Sequence, residues 1–450
     1  MNMKKYILFF TMLALGLFMS CDNENTITYY STATISSFKF ASNDSFPGLA
    51  EAVFVVDNLP DTGRIYLTDS IRFGTPLDSV VPVITFTNTV SGAIYYFPDT
   101  TINYTGEDTL NFNKRPVYLR VYSQDLTVEK LYSIEAFAHQ VNPDLFVWQL
   151  LTPSITKANP FEQHMVYLAS KFHFYTNDGF VSKHLVSSNA KDWTTASLVG
   201  LPNDCAVKQI LVDSVHSRLC YATQDALYTS QDGSTWTSTS FPKQNYSMVR
   251  LLACLSKEMI ALVKDDNQAY YLATMTSDLQ LTPITGILAD DFAVQGFTIL
   301  NYVGMSHRKY VMLYGGYDKK GDMTNGRWVL ECKTNGQQTE YRLVNLSSEQ
   351  PNTRAIVGAG LVHYGDYLYS FGGLYSDLQV CNEVYMSKDE GMNWQPVDTT
   401  HFAYPHNCLG RYNQTIMVHD NNIYIVGGQN QTSHFTDVYV GRLNSITWEK

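Results

Sequence analysis

Five side chains in the second half of the sequence have the chemistry of a ligand-binding site: Tyr317, Arg354, Tyr375, His406 and Arg411. Arg354 and Arg411 stand 57 positions apart, and each comes just before a short apolar run. Guanidinium groups bind carboxylates through paired hydrogen bonds, and aromatic rings stack on the faces of ligands. If the two runs are inner strands of adjacent repeats, both arginines point to one part of the same face. The pattern predicts recognition of a glycan or a peptide.

Each of these five residues also has a purely structural interpretation. The two arginines can bridge neighbouring repeats, and His406 can be a solvated surface residue. Catalytic chemistry has less support, because no nucleophile-elbow, zinc-protease or phosphate-loop motif is present. No cofactor is predicted. No metal is predicted either, because the six cysteines after Cys21 form no CxxC or other ligand spacing. Cys205 and Cys220 are the closest pair in sequence, and mostly free, packed thiols are expected.

The segment 354–394 contains one complete structural repeat. Apolar runs over 359–364, 367–371 and 383–386 predict three short strands, and a fourth begins at Trp394. Gly372-Gly373 closes the second strand, where two missing side chains allow close backbone approach and positive φ angles. Four short antiparallel strands in about 40 to 50 residues are typical of one β-propeller blade. With Arg354 ahead of it, the double glycine resembles a kelch repeat, and Ser387 to Trp394 resembles an Asp-box.

The repeat recurs along the chain. The residues that open successive outer strands are Trp148, Trp193, Trp236, Leu281, Tyr341, Trp394 and Trp448. This spacing predicts a propeller over residues 145–450 with six blades, and seven is the alternative. The first of these outer strands, at Trp148, is not preceded by the three other strands that a blade requires. We therefore expect it to pair with the last blade and close the ring.

Residues 27–140 show the alternation of half-buried strands instead. In Val117–Tyr122, Val117, Leu119 and Val121 share one face, while two tyrosines and Arg120 share the other. About seven such strands in this segment predict an immunoglobulin-like β-sandwich without the inter-sheet disulfide of antibody domains. A polar segment over 140–144 is the expected boundary. The whole chain is thus predicted to be all-β.

The N-terminus reads as a bacterial lipoprotein signal over residues 1–21. Two lysines precede a short apolar core, and Cys21 ends the core where a lipidated first residue would stand. The acidic residues that follow resemble a surface-export signal, so we expect an outer-membrane lipoprotein exposed at the cell surface. Contact with the membrane would be through the lipid only. The formal net charge of −11 argues against nucleic-acid binding.

Signal, sandwich and mixed propeller together resemble a family of Bacteroidetes surface lipoproteins. The resemblance implies a fold and a location but no activity. A surface-anchored binding or scaffold protein, with outer-membrane proteins as further partners, is the first hypothesis. The alternative is a glycan-processing enzyme, more similar to a kelch-type mutarotase than to a sialidase. A sialidase requires an arginine cluster and a Tyr–Glu pair that the sequence does not identify.

Overall fold

The computed structural model describes residues 28–444, except positions 61, 98–99, 114–116, 143–144, 256–257, 305–306, 336–337, 348–353 and 401. The predicted signal segment with Cys21, and Trp448 of the expected last strand, lie outside the described residues. The protein is all-β, with short 3₁₀ helices at Pro47–Leu49 and Val207–Gln209. Within the described part of the chain, no helix has the length and apolarity that crossing a membrane would require. The chain divides into two compact units, residues 1–142 and 143–450.

The strands of the first unit form a two-stranded and a six-stranded sheet. They are β1 (Ile35–Phe40), β2 (Phe54–Asp57), β3 (Thr62–Leu67), β4 (Pro82–Phe86), β5 (Val90–Tyr96), β6 (Thr101–Asn103), β7 (Val117–Ser123) and β8 (Glu129–Glu135). β1 pairs with β4, and the larger sheet has the order β2-β3-β8-β7-β5-β6, in which β3 and β8 run parallel. Both sheets contribute to one apolar core, including Phe38 and Ile84 from the small sheet and Ile65 and Leu119 from the large one.

The predicted faces of β7 are confirmed. Val117, Leu119 and Val121 are buried, whereas the alternate residues of the strand are only partly buried. Strict alternation places one side of the sheet on the core and the other toward solvent.

The second unit contains, among its described residues, six four-stranded antiparallel sheets and one two-stranded sheet. The first three four-stranded sheets are β10 (Glu162–Leu168), β11 (Lys171–Asn177), β12 (Ser182–Ser187) and β13 (Thr194–Ala196); β14 (Leu211–Asp213), β15 (Arg218–Ala222), β16 (Ala226–Ser230) and β17 (Thr237–Ser240); and β18 (Tyr246–Cys254), β19 (Met259–Asp265), β20 (Tyr270–Met275) and β21 (Leu281–Pro283).

The remaining sheets complete the unit. The fourth is β22 (Thr298–Val303), β23 (Lys309–Tyr314), β24 (Arg327–Asn335) and β25 (Gln338–Asn345). The fifth is β27 (Gly360–Tyr364), β28 (Tyr367–Phe371), β30 (Val384–Ser387) and β31 (Gln395–Pro396). The short strands β26 (Ile356–Val357) and β29 (Leu374–Tyr375) pair with each other. The sixth is β32 (Thr415–His419), β33 (Asn422–Gln429), β34 (His434–Leu443) and β9 (Phe146–Thr152).

Burial in these sheets is greatest in the second strands and low in the fourth strands. β19 is buried over five consecutive residues, Met259–Val263, because neighbouring sheets cover both of its faces. The fourth strand β17 is made of serine and threonine only and is exposed throughout. Apolar runs therefore mark the second strand of a repeat, and polar strands mark its rim.

The expected docking of the first outer strand is confirmed. β9 pairs with β34 in antiparallel register, with Trp148 opposite Gly441 and Phe146 opposite Leu443. The two ends of the unit thus share one sheet. A Cβ on Gly441 would lie 2.3 Å from the Trp148 ring, so the pairing requires glycine at this position.

The double glycines occur where one sheet meets the next. Gly315, Gly372 and Gly427 all have φ near +60°. A Cβ on Gly315 would lie 2.0 Å from the Ile356 carbonyl oxygen, and one on Gly372 would lie 2.2 Å from the Arg411 carbonyl oxygen. Both the left-handed backbone and the close approach exclude larger residues here.

Three turns between third and fourth strands share one hydrogen-bonding pattern. In the turn after β30, Asp389 Oδ1 accepts from the Ser387 hydroxyl at 2.8 Å and from the Asn393 amide at 2.8 Å. The Gly391 amide donates to Ser387 Oγ, and the Trp394 indole donates to the Gly391 carbonyl at 3.0 Å. The turns that end at Trp236 and Trp193 repeat the indole bond. These residues shape the turns, as the sequence predicted.

Candidate functional site

One central cavity of about 240 Å³ lies in the second unit. In the described part of the chain, it is lined by the first strands of the six four-stranded sheets and by the residues that lead into those strands. Uncharged residues of the fourth, fifth and sixth sheets and of the segments before them, three glycines among them, form much of its wall. Its charged and ionisable lining residues come from the first three sheets: Glu162, His164, Lys208 and Arg250.

Local structure explains how each of these side chains reaches the cavity. Glu162 and His164 are two residues apart on β10, so they share one face of the strand. Lys208 lies in the 3₁₀ helix that leads into β14. Arg250 lies on β18 directly after a register shift between positions 248 and 250. Such a bulge inserts one extra residue and redirects the following side chain.

Arg250 is only partly satisfied by the protein. Its Nη1 donates to the Phe297 carbonyl at 3.1 Å, its Nη2 donates to the Lys208 carbonyl at 3.5 Å, and its guanidinium lies 4.8 Å from the Phe297 ring centre. Its Nε is buried and has no hydrogen-bond partner among the described residues. A buried N–H without an acceptor is costly, so this donor favours a bound acceptor.

The electrostatics of the cavity reflect the close placement of these groups. Burial, with Arg250 nearby, lowers the pKa of Lys208 to about 8, although Glu162 acts in the opposite direction. Burial lowers the pKa of Arg250 to about 10. Burial and the two cations lower the pKa of His164 to about 4. At neutral pH, Lys208 and Arg250 are therefore charged and His164 is neutral.

Acceptors line the same cavity. Glu162 Oε2, Gln163 Oε1 and Gln414 Oε1 are buried and have no hydrogen-bond partner among the described residues. The amide nitrogens of both glutamines bind backbone carbonyls of the preceding sheet, at 2.9 Å for Gln163 with Phe435 and 2.7 Å for Gln414 with Phe371. Both glutamine side chains are therefore fixed against the preceding sheet, and Gln163 Oε1 lies close to Gly427. A ligand there meets two cations and the carboxylate of Glu162, which suits an anionic group that also carries hydroxyls.

None of the five predicted site residues lines this cavity. Arg411 is 1% exposed, and its donors are used within the protein. Nε binds the Leu409 carbonyl at 3.0 Å, Nη1 binds the Gly427 carbonyl at 2.9 Å, and both terminal nitrogens bind Asp437 at 2.5 and 3.2 Å. Arg411 is therefore framework, which corrects the expectation that it points to a shared ligand face.

The structure brings Arg354 and Tyr375 together in a different place. The Arg354 guanidinium lies 3.7 Å from the centre of the Tyr375 ring and forms an ion pair with Asp377. Tyr375 belongs to the two-stranded sheet of β26 and β29. The two arginines thus differ: Arg354 keeps a partly exposed side chain, with 43% of it accessible, and Arg411 does not.

The remaining two predicted residues are also separate from the cavity lining. Tyr317 packs against Gly296, where an added Cβ would lie 2.9 Å from its ring, and Gly296 itself borders the cavity. His406 is exposed in the turn between the fifth and sixth sheets. Of the five residues, Tyr317 is therefore one contact away from the cavity, and the described contacts join only Arg354 with Tyr375.

Sequence reasoning missed Glu162, His164, Lys208 and Arg250. The predicted arginines were those just before inner strands, and Arg250 lies inside a strand, so it was not among the predicted site residues. A detectable signal existed: charged residues interrupt otherwise apolar first strands, and a charge at such a position either faces a cavity or is paired. No pattern in the sequence indicates that these particular positions converge.

A second cluster has ligand atoms suitable for a metal. One ligand atom each of Asp213, Cys220 and Cys254 lies within 4.8 Å of the others. The spatial neighbour of Cys220 is therefore Cys254, although Cys205 is closer in sequence. Cys205, Cys220, Cys254, Cys332, Cys381 and Cys408 are all free, as predicted.

The chain matches two family domains. Residues 142–450 match the DUF6242 beta propeller domain, and residues 22–136 match the domain of unknown function (DUF6242) N-terminal domain. None of the curated proteins is a significant match. A solved structure titled "Structure of YjhT" is 13% identical, with 64% of this chain and 96% of that chain covered and a TM-score of 0.38, a likeness too low to support a functional argument. The six sheets around a central cavity are thus a β-propeller, and the chain belongs to the DUF6242 family.

Proposed function

We propose that the propeller is a ligand-binding module and that its central cavity holds a small, negatively charged, hydroxyl-rich ligand such as an acidic sugar. The observation that carries this proposal is the convergence of Lys208 and Arg250 on one cavity, where Arg250 Nε and Glu162 Oε2 are buried and have no partner among the described residues. A carboxylate would accept hydrogen bonds from both cations, and ligand hydroxyls would donate to Glu162.

The size of the cavity restricts the ligand. Pockets for drug-sized molecules occupy about 300–1,000 Å³. The central cavity, at about 240 Å³, is smaller and suits a ligand of about monosaccharide size. A longer glycan or a peptide would have to insert one end while the rest stays outside.

The same proposal includes the architecture around the module. We assign one blade to each four-stranded sheet, which gives six blades, with kelch-like double glycines and Asp-box-like turns as framework. The N-terminal domain would be an immunoglobulin-like spacer, which the shared core of its two sheets supports. The chain would be a surface lipoprotein anchored through Cys21, and the start of the N-terminal domain match at residue 22 supports this.

A glycan-processing enzyme is the second candidate. Glu162 and His164 face the same cavity and are chemically able to exchange protons with a sugar, as anomer interconversion requires. Hydrolysis has less support, because Glu162 is the single carboxylic acid among the described lining residues and glycosidases use a pair. A sialidase would require a cluster of arginines, and the described lining contains Arg250 alone.

The test compares matched sugars that differ only in a carboxylate. Full-length protein in detergent is titrated calorimetrically with glucuronate, galacturonate, glucose and galactose. We expect the acids to bind at least tenfold more tightly than the neutral sugars. Lys208→Met and Arg250→Met should each weaken binding tenfold or more, since a charge-assisted hydrogen bond is worth roughly 1.5–3 kcal/mol. Lys264→Met, which removes a partly exposed lysine of β19 that lies outside the cavity lining, is the control.

The outcomes separate the candidates. Equal affinity for acids and neutral sugars, or tight binding by the Arg250→Met protein, would contradict the assigned ligand class. NMR measurement of anomer exchange on the same samples tests catalysis. Binding without faster exchange supports a binding module, whereas acceleration that Glu162→Gln removes supports the enzyme.

A further inference from the structure

A second polar cluster lies where the second and third blades meet, separate from the central cavity. Asp213 is the last residue of β14, Cys220 lies in the middle of β15, and Cys254 is the last residue of β18. Asp213 and Cys220 are fully buried and Cys254 is partly buried. Their ligand atoms lie within 4.8 Å of one another, a separation that is compatible with a common ion after small side-chain adjustments.

The hydrogen bonds around Asp213 hold its carboxylate in place. Oδ2 accepts from Arg218 Nε at 3.0 Å and from His216 Nδ1 at 2.8 Å, and Oδ1 accepts from the His216 amide at 3.2 Å. Metal-binding carboxylates commonly have such outer partners, which fix their orientation. Each oxygen has more than one lone pair, so these bonds leave Asp213 able to bind an ion.

Charge supports a divalent ion at this position. With both thiols deprotonated, Cys220, Cys254 and Asp213 would bring three negative charges into a buried place. Arg218 supplies one positive charge, and a divalent cation supplies the other two. The cluster would then be neutral, which removes the cost of uncompensated buried charge.

The ligand set also favours a particular class of metal. Thiolate sulfur binds thiophilic ions such as Zn²⁺, and Mg²⁺ and Ca²⁺ prefer oxygen alone. Zn²⁺ takes four ligands in a tetrahedron, so three protein ligands leave one position for water. A cavity of about 330 Å³ borders the cluster on the side of Asp213, His216 and Arg218.

We propose that Asp213, Cys220 and Cys254 form a site for a thiophilic divalent cation of the Zn²⁺ type, which joins the second and third blades. Binding exchanges two thiol protons for the ion, so no oxidant or reductant is involved. The ion would crosslink β14, β15 and β18 and would stabilise this part of the ring. This inference does not depend on the ligand of the central cavity.

Cobalt spectroscopy of the full-length protein tests the site. Reduced, metal-free protein is titrated with Co²⁺, which reports thiolate bonds by a near-ultraviolet charge-transfer band and tetrahedral geometry by intense visible bands. We expect one equivalent to bind, Zn²⁺ to displace it, and both bands to be lost in Cys220→Ser and Cys254→Ser. Asp213→Asn should weaken Co²⁺ binding at least tenfold.

Cys332→Ser is the matched control, because Cys332 is a buried free cysteine on β24 outside the cluster. Its spectrum and stoichiometry should equal those of the unchanged protein. Absence of the charge-transfer band in folded, reduced protein would overturn the proposal. A disulfide between Cys220 and Cys254 would also overturn the proposal, if it forms in protein purified without reductant and persists with excess Zn²⁺. A mass about two daltons lower and resistance to alkylation would reveal this disulfide.

Discussion

Two arginines of the propeller show how the surroundings of a side chain decide its role. Arg411 and Arg250 are both largely enclosed by protein and both contact aromatic rings. Arg411 has a carboxylate partner, Asp437, and backbone acceptors. Among the described residues, Arg250 has backbone acceptors only, and its buried Nε has no partner there. The first arginine stabilises its blade. The second keeps a positive charge that a ligand can neutralise.

The depressed pKa of Lys208 predicts how ligand affinity depends on pH. An anion binds the protonated lysine, and free Lys208 loses its proton as the pH rises through about 8. Affinity for glucuronate should therefore be constant between pH 6 and 7.5. At higher pH, the dissociation constant should increase, approaching a tenfold rise per pH unit, because binding must then return the proton. Calorimetry between pH 6 and 9.5 measures this.

The control for this titration is Lys208→Arg, whose side chain stays charged over the whole range. Its affinity should be independent of pH. His164 and Arg250, with pKa values of about 4 and about 10, stay largely in one protonation state over most of this interval. A pH dependence that persists in Lys208→Arg would show that another group causes it.

At the level of elements, turn chemistry was predictable because it is local. The turn from Ser387 to Trp394 has its donors and acceptors within eight residues, and the structure shows the expected bonds. The strands and their period were predictable for the same reason. Even the degraded turn at Ser187 to Trp193 forms, with Asn189 in the role of the aspartate.

The site could not be predicted in the same way. Glu162 and Arg250 belong to two different sheets and Lys208 to the 3₁₀ helix before a third, and each alone looks like an ordinary polar residue near a strand. Arg354 and Arg411 have equivalent positions in the repeat, yet one pairs with Asp377 at a partly exposed position and the other is buried against Asp437. Equivalent spacing does not fix equivalent surroundings, because the partners come from different elements: Asp377 lies in the loop after β29, whereas Asp437 lies on β34.

Asp389→Ala tests whether the turn is structural. Loss of the bonds to Ser387 and Asn393 should destabilise the protein by about 1–2 kcal/mol in chemical unfolding. Affinity of the folded variant for the cavity ligand should be unchanged. Asp266→Ala, in an exposed hairpin turn of the third blade, should have almost no effect on stability. Weaker ligand binding by Asp389→Ala at unaltered stability would place the turn at the site instead.

A pair of glycines in one loop separates backbone strain from close packing. Gly315 and Gly321 both have positive φ angles, of +62° and +88°. An added Cβ would lie 2.0 Å from the Ile356 carbonyl oxygen at Gly315 and would meet nothing within 4 Å at Gly321. Gly321→Ala should cost about 1–2 kcal/mol, as left-handed backbone does for alanine. Gly315→Ala should cost several kcal/mol more, because backbone has to move.

Unfolding of both variants in urea measures this difference. If both variants lose the same free energy of unfolding, the backbone around Gly315 can move aside at little cost. Backbone conformation alone would then explain why glycine is needed at both positions.

At the scale of the whole molecule, the proposed lipid anchor determines where the cavity acts. Cys21→Ala should move the protein from the membrane fraction to the soluble fraction of cells, because the proposed attachment depends on one lipidated residue. Fractionation with fatty-acid labelling checks this, and Cys205→Ala is the control. Continued labelling and sedimentation of Cys21→Ala with membranes would contradict the anchor.

The pairing of β9 with β34 has a consequence for how the chain acquires its structure. Trp148 and its partner Gly441 are 293 positions apart, so this is among the contacts of longest range in the chain. Closing such a long loop carries an entropic cost before the contact is made, and folds dominated by distant contacts form slowly. If the chain emerges from its N-terminus, β9 has to wait, unpaired, until nearly every later strand has been made. The last step of folding would then be the joining of the two ends, and an unfinished chain would present β9 as an open edge to other strands.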